Sequence, residues 1–452
     1  MLSSLSFFNK KQTAIFLLIS VFKINKGMGR YKNTLFFAAE KDKKDPLAKY
    51  REAFCFPSFH EKEIIYFTGN SLGLQPKQTG KFIQQELDDW AKWGVEGHFK
   101  AKNPWYSYHE LLTNKAAEIV GATEKEVVIT HSLTTNLHLL MVSFYQPKGK
   151  RTKILCEGKA FPSDQYALES QVKFHGLDPE ETIVELCPRK GEHIIRIEDV
   201  LSKIKEIGEE LALIMIGGVN YYTGQLFDMK NITSAGHEEG AVVGFDLAHA
   251  AGNVELFLHD WGVDFAAWCT YKYLNSSPGG VAGMFVHEKH AKNTDLPRFA
   301  GWWGHDKSTR FEMKPGFQPI EGAEGWQLSN APILGMAAHL SSLNIFKEAG
   351  MKAISEKRDD LTSYLAFVIE EVSKTSDKVN FEIITPKNPT ERGAQLSILA
   401  HGQGKALFNS LSKEGVVADW REPNVIRVAP APLYNSYVDV FRFGEALKNS
   451  IK

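Results

Sequence analysis

Two residues have types and spacing that could do chemistry together. Asp246 closes the apolar run Ala241-Val242-Val243-Gly244-Phe245, and Lys272 follows inside Cys269-Thr270-Tyr271-Lys272-Tyr273. In open α/β sheets ligands bind outside the carboxyl ends of the strands. A carboxylate beside apolar walls there is costly unless a cation or a proton accompanies it. A lysine in an aromatic turn loses hydration, which lowers its pKa, and a Schiff-base amine requires that. The pair therefore suits pyridoxal phosphate. Lys272 would carry the aldehyde, and Asp246 would keep the pyridine nitrogen protonated so that the ring accepts electrons. Singly, each has an ordinary explanation: an Asp at a strand end often caps a turn, and a Lys among aromatics often extends to solvent.

Two flanking segments could complete such a site. Thr130-His131-Ser132-Leu133-Thr134-Thr135-Asn136 lies between a strand and a helix, where free amides and hydroxyls can cradle a phosphate or simply cap the helix. Ala160-Phe161-Pro162-Ser163-Asp164 follows another strand, and Phe161 could stack on a flat ring or serve the core. Other motifs fail. Gly69-Asn70-Ser71-Leu72-Gly73 matches G-x-S-x-G, but Gly73 and Pro76 interrupt the helix that a nucleophile elbow needs. It reads better as a tight loop. His287, Glu288 and His290 do not form H-E-x-x-H, and no metal is expected. Walker A and G-x-G-x-x-G are absent, so a P-loop or nicotinamide enzyme is poorly supported.

The elements that must position these residues alternate along the chain. The pattern predicts helices over 110–120, 136–144, 197–207 and 232–239. It predicts strands over 126–130, 153–156, 182–186, 211–217, 241–245, 265–268 and 281–286. Continuous apolar runs between helices indicate a mostly parallel sheet buried on both faces, hence an α/β fold. Upstream, 64–67 reads as a strand, and Pro76 as the start of a helix with Phe82, Ile83, Leu87 and Trp90 at helical spacing. After a long helix over 333–348 the chain reads as a smaller α+β domain. The expected units are an extension over 1–28, a segment over 29–104 partly packing with the small domain, a large cofactor-binding domain over 105–330 and a small domain over 331–452.

Composition sets the outer bounds. The chain has 452 residues, 24% charged and 43% hydrophobic, with 53 Lys plus Arg against 54 Asp plus Glu. That excludes disordered, coiled-coil and polytopic membrane proteins, and no basic stripe calls for nucleic acid. Cys55, Cys156, Cys187 and Cys269 form no C-x-x-C pair and read as free, buried thiols in a reducing compartment. Lys10 and Lys11 precede the apolar run 14–22, which resembles a signal-peptide core. The run is too short to span a bilayer, and no small-x-small cleavage site follows. We expect translation to begin at Met28 and no membrane attachment.

These residues carry a resemblance to kynureninase, a pyridoxal-phosphate enzyme family of fold type I, the aspartate aminotransferase-like class. It rests on segments 67–76, 136–141, 160–164, 222–225, 244–249, 252–256, 261–265, 271–275 and 427–430, spread over most of the chain. The fold type implies a large domain with a mostly parallel seven-stranded sheet. The resemblance implies hydrolysis of L-kynurenine or 3-hydroxy-L-kynurenine to the anthranilate and L-alanine, in tryptophan catabolism or NAD biosynthesis, by a cytoplasmic homodimer with shared active sites. The alternative is another fold type I reaction, such as transamination or cysteine desulfuration.

In the family's terms Lys272, Tyr271 and Asp246 would be catalytic. Leu133, Thr134 and Tyr271 would lie at the phosphate, Phe161 on the ring, and Asp164, Asp246 and His249 beside it, with Ser163 and the position of Gly217 also contacting the cofactor. Trp302 and Asn330 would line the cofactor site, partly across a dimer interface. Arg427 would bind the α-carboxylate, and His98, Ser71 and Asn330 would face the rest of the substrate. Gly217 departs from the serine usual there, which removes or replaces a hydroxyl contact near the cofactor. Trp303 stands where family members differ in their aromatics. Lys272→Ala should fold yet lose the visible absorbance of covalently held cofactor. Borohydride reduction of the parent protein followed by peptide mapping should place the label on Lys272, and a label elsewhere would refute the assignment.

Overall fold

Continuous apolar runs build the main sheet. Seven strands form it: β1 (Val127–Thr130), β2 (Lys153–Glu157), β3 (Ile183–Leu186), β4 (Leu211–Gly217), β5 (Val242–Asp246), β6 (Phe265–Cys269) and β7 (Ala282–Val286). Their order is β1-β7-β6-β5-β4-β2-β3. Only β7 runs antiparallel to its neighbours β1 and β6. Successive side chains leave opposite faces, so each strand feeds two cores. Ile154, Leu213, Met215, Phe265 and Ala267 pack on one face, while Leu155, Ile214, Ile216, Ala266 and Trp268 pack on the other. This computed structural model describes residues 31–59, 62–375 and 379–451. The expectations for the extension over 1–28 lie outside the described residues.

The expected strands and the helices over 110–120 and 197–207 occur within a residue or two of their places. Others differ. The helix expected from Asn136 begins at Leu133, and the one expected from Ile232 begins at Met229. Pro76 does not open a helix; it bridges Phe54, and the helix runs from Thr79 to Trp93. Its apolar spacing is misleading as well, because Trp90 is exposed while Glu86 and Asp89 are buried. Glu86 is held there by hydrogen bonds from Trp105 Nε1 (2.9 Å) and the Tyr108 hydroxyl (3.1 Å), which offset the cost of burying it. Helix Pro162–Phe174 was not expected, since its few apolar residues give little periodic signal. Cys55 and Cys187 are exposed, and only Cys156 and Cys269 are buried. Cys187 lies just past the end of edge strand β3, where side-chain burial stops.

A third core lies around the antiparallel sheet β8 (Asn380–Ile383), β9 (Leu396–His401), β10 (Asp419–Arg421) and β11 (Val425–Val428), in the order β8-β9-β11-β10. It takes in the helix Met351–Ser373 and, from far upstream, Ala38, Ile65 and Phe67. The strand expected over 64–67 is a two-residue piece, Ile65–Tyr66, parallel to Val416–Val417. Helix Ile333–Ala349 instead packs Met336, Leu340, Leu343 and Phe346 into the main core.

One carboxylate ties together the strands that carry Asp246 and lead to Lys272. Asp264, just before β6, accepts hydrogen bonds from Val243 N in β5 (2.8 Å), His237 (2.8 Å) and His290 (2.8 Å), and pairs with Lys289. Burial alone would raise its pKa, but these donors outweigh it and hold the group well below the ordinary carboxylate range. A depressed folded-state pKa contributes stability above the unfolded value of ~4 that is lost as pH falls. Asp264→Asn should therefore cost about 2 kcal/mol at neutral pH. That difference, read from denaturant unfolding, should shrink below pH ~4.

Candidate active site

The carboxyl ends of β2, β4, β5 and β6 open on one cavity of about 360 Å³, walled on its far side by residues of the second sheet. Gly217 and Asp246 are register partners on β4 and β5, and Asp246 faces Ala267 on β6. Lys272 then leaves β6 in a tight turn. Asn275 takes a left-handed φ of 54° there and returns its N–H to the Lys272 carbonyl (3.0 Å), while Ser276 N bonds the Thr270 carbonyl (3.1 Å). The loop with the G-x-S-x-G pattern docks on this turn through Gly73 N to Tyr271 O (2.8 Å). A Cβ at Gly73 would come 2.4 Å from the Lys272 carbonyl, which explains the glycine. Ser71 lies at the cavity with no helix directly behind it, so the elbow reading fails on geometry.

One end of the cavity is rich in carboxyl groups. Asp246 accepts a hydrogen bond from Ala248 N (2.7 Å) and another from Asp164. Burial raises both pKa values, and Asp164 is driven up further by the charge on Asp246. Asp164 therefore holds a proton and donates it to Asp246. His249 is driven well below its ordinary pKa by burial, helped by the charges of Lys272, Arg427 and Arg421. It stays neutral, and its buried Nδ1 has no partner.

The other end suits an anion. Ser132 precedes the helix Leu133–Phe144 but makes no side-chain cap bond, its hydroxyl turning to Thr135 (2.9 Å). Thr134 and Ser163 exchange a hydroxyl bond of 2.9 Å between two helix starts. Leu133, Gly279, Gly280 and Tyr271 complete this wall. Phe161 is 41% exposed, its ring 6.0 Å from Lys272 Nζ, so it belongs to the cavity and not to the core. A flat ring with an acid-seeking nitrogen at one end and a phosphate at the other fits the Asp246 end, the Phe161 face, the Lys272 amine and the open helix start. The unpartnered His249 nitrogen and the uncapped helix are the observations that favour a bound group.

Arg427, on β11, is buried. Its Nη1 donates to the Tyr221 carbonyl (2.6 Å), and its Nη2 pairs with Asp419 (2.5 Å) and reaches Ser71 Oγ (3.5 Å). Ser71 also bonds Asp419. Nε is buried and unpartnered. Three expected residues do not line this cavity. His98 and Asn330 meet each other at 3.5 Å, and Trp302, 46% exposed, borders a separate depression. Sequence reasoning missed Glu157, Tyr221, Asp419 and Arg421, all but Asp419 at the cavity wall. Glu157 could have been found by the rule that singled out Asp246, since it too ends a parallel strand. Asp419 could not, because only the turn between β10 and β11 sets it across from Arg427.

Residues 354–447 match the family model described as the kynureninase C-terminal domain. The chain is 59% identical over 421 residues to the kynureninase of Flavobacterium johnsoniae, covering 93% of this chain and 99% of that protein. The chain belongs to the kynureninase family. It is also 49% identical over 418 residues to kynureninase from Mus musculus, covering 89% and 90%. Cysteine desulfurases from Thermococcus onnurineus and Escherichia coli share the fold, with TM-scores of 0.69 and 0.71 at 17% and 16% identity. They cover 86% and 89% of this chain, and 94% and 98% of theirs. The architecture is thus pyridoxal-phosphate fold type I, the cofactor is pyridoxal phosphate, and the family reaction is hydrolysis of kynurenine. Lysine cannot grip a carboxylate in the bidentate way that a guanidinium can. Arg427→Lys should raise KM for kynurenine about tenfold, one charged hydrogen bond's worth, while leaving the cofactor's visible absorbance in place. Steady-state kinetics and a spectrum check this.

Proposed function

We propose that the cavity residues divide the hydrolysis of L-kynurenine, or its 3-hydroxy derivative, as follows: water adds to the ketone carbon and the Cβ–Cγ bond breaks, releasing the anthranilate and L-alanine. Bound pyridoxal phosphate supplies an electron sink for the pairs released from the Cα–H and Cβ–Cγ bonds. Lys272 would hold it, and its amine would take the Cα proton. Asp246, braced by the protonated Asp164, holds positive charge at the ring nitrogen, with neutral His249 beside it. Thr134, Ser163, Leu133 and Tyr271 hold the phosphate, and Phe161 lies against the ring. Burial pushes the Tyr271 phenol well above its ordinary pKa, so it stays protonated and donates to the alanine β-carbon. General acid catalysis of this kind is typically worth ~10² to ~10⁴ in rate. Arg427 binds the α-carboxylate, and Ser71, bonded to Asp419 beside it, faces the rest of the substrate. The observation that carries this assignment is the Asp164–Asp246 pair facing Lys272 across one cavity.

The same reading assigns a homodimer. Phe99 (61% exposed), Phe311 (56%) and Trp302 (46%) join Tyr106 in one outward aromatic cluster with centroid spacings of 5.5 to 5.9 Å. Exposed apolar patches of this sort mark interfaces. His98, Trp302 and Asn330 lie near this cluster or beyond their own cavity, which suits service to a second copy's site. The separate core of the small sheet supports treating 105–330 as the cofactor-binding unit and 331–452, with parts of 29–104, as the small domain, although helix Ile333–Ala349 joins a core of the main sheet. Among the described residues no helix is long and apolar enough to cross a membrane. The family assignment further suggests a cytoplasmic role in tryptophan breakdown or NAD synthesis. The purified protein supplied with pyridoxal phosphate should be yellow and should convert L-kynurenine to equimolar anthranilate and L-alanine with no keto acid added. A transaminated product alone would favour the aminotransferase alternative.

A further inference from the structure

Glu157 ends β2 at the cavity wall and is 4% exposed. Both carboxylate oxygens take the single N–H of Gly217, at 3.0 and 3.2 Å. A Cβ at position 217 would stand 2.8 Å from Oε1, so the bare glycine leaves the carboxylate its place. Gly217 is the register partner of Asp246, so a single strand, β4, lies between the strand of Glu157 and that of Asp246. Three carboxyl groups thus share one buried end of the cavity, with Lys272 the cation acting on the pair. The other titratable groups that feel Glu157 are Tyr221 on the loop after β4 and Cys156 on its own strand, both pushed up by burial first and by its charge. Burial raises Glu157 itself to about 7, against the pull of Gly217 N–H and with added repulsion from Asp246.

We propose that Glu157 is a positioning residue: anchored on Gly217, its carboxylate keeps a proton on the Asp164–Asp246 pair and adds the negative field that favours positive charge on the cofactor ring. It touches no reacting atom and acts through Asp164 and Asp246. The idea rests on the cofactor placement given above. Removing a negative charge beside a protonated group lowers that group's pKa, which fixes the sign of every effect below.

The test uses the full-length protein, stripped of cofactor and reconstituted with pyridoxal phosphate. In Glu157→Gln, which keeps the shape and removes the charge, the midpoint of the pH-dependent visible absorbance should move down by about half a unit or more, a threefold loss of proton affinity. The Kd for pyridoxal phosphate, read from fluorescence quenching, should rise about threefold in the range above pH ~7 where Glu157 is charged. Glu157→Asp keeps the charge and should recover most of the midpoint. Should the glutamine variant fail to fold, Gly217→Ala crowds Oε1 away and should give a smaller shift of the same sign. A coloured, folded Glu157→Gln protein with an unmoved midpoint and Kd overturns the proposal and leaves a structural role only. A wild type that takes up no colour overturns the cofactor placement instead.

Discussion

A buried acid facing an amine across the carboxyl edge of a parallel sheet is the interaction on which the rest of the structure depends. Asp246 is a poor residue to bury by itself, because a desolvated carboxylate costs several kcal/mol unless something compensates it. The fold compensates it three times. Ala248 N donates a hydrogen bond, Asp164 lends a proton, and Lys272 supplies a positive charge from the next strand's exit turn. Each compensation comes from a different segment, and each needs the sheet register to be right. Because side chains alternate along a strand, a slip of one residue in β5 would turn Asp246 into the core. The Asp264 cluster at the opposite end of β5 and β6 guards that register, through the bond from Val243 N.

The two ends of the cavity are electrostatically opposed by construction. Carboxyl groups gather where β2, β4 and β5 end, whereas an open helix start and the Thr134–Ser163 hydroxyls define the other extreme. A zwitterionic heteroaromatic phosphate has the complementary polarity, positive at its ring nitrogen and negative at its phosphate. On the substrate side, Arg421 and Arg427 share the single carboxylate of Asp419. One positive charge is therefore left over, which is the charge the proposed α-carboxylate site would use. The small sheet carries that charge, and its only link to the upstream loop bearing Ser71 is tertiary. The parallel pairing of Ile65–Tyr66 with Val416–Val417 and the Thr68–Ala429 bridge bring the loop in.

Much of this was legible before any coordinates. The strand ends holding Asp246 and the turn holding Lys272 could be read because burial on both faces writes continuous apolar runs into a sequence. Polar residues that interrupt such runs at their ends then stand out. The helix starts at Leu133 and Pro162 were less visible. One begins three residues earlier than its apolar spacing indicates, and the other is too polar to show a face. The Trp90 error has the same root, since periodicity reports apolar spacing and cannot reveal that Glu86 has Trp105 and Tyr108 to bond.

The sequence by itself determined the sheet's strands, the placing of Asp246 and Lys272 at neighbouring strand ends, and the family, because each depends on local residue order or on similarity along the chain. The tertiary structure alone decided that Glu157 joins the two aspartates, that Asp419 clamps Arg427 and Ser71, and that Trp302, His98 and Asn330 stand apart from their own chain's cavity. Those relations join residues tens to hundreds of positions apart through strand register, and no local pattern encodes which strand becomes whose neighbour.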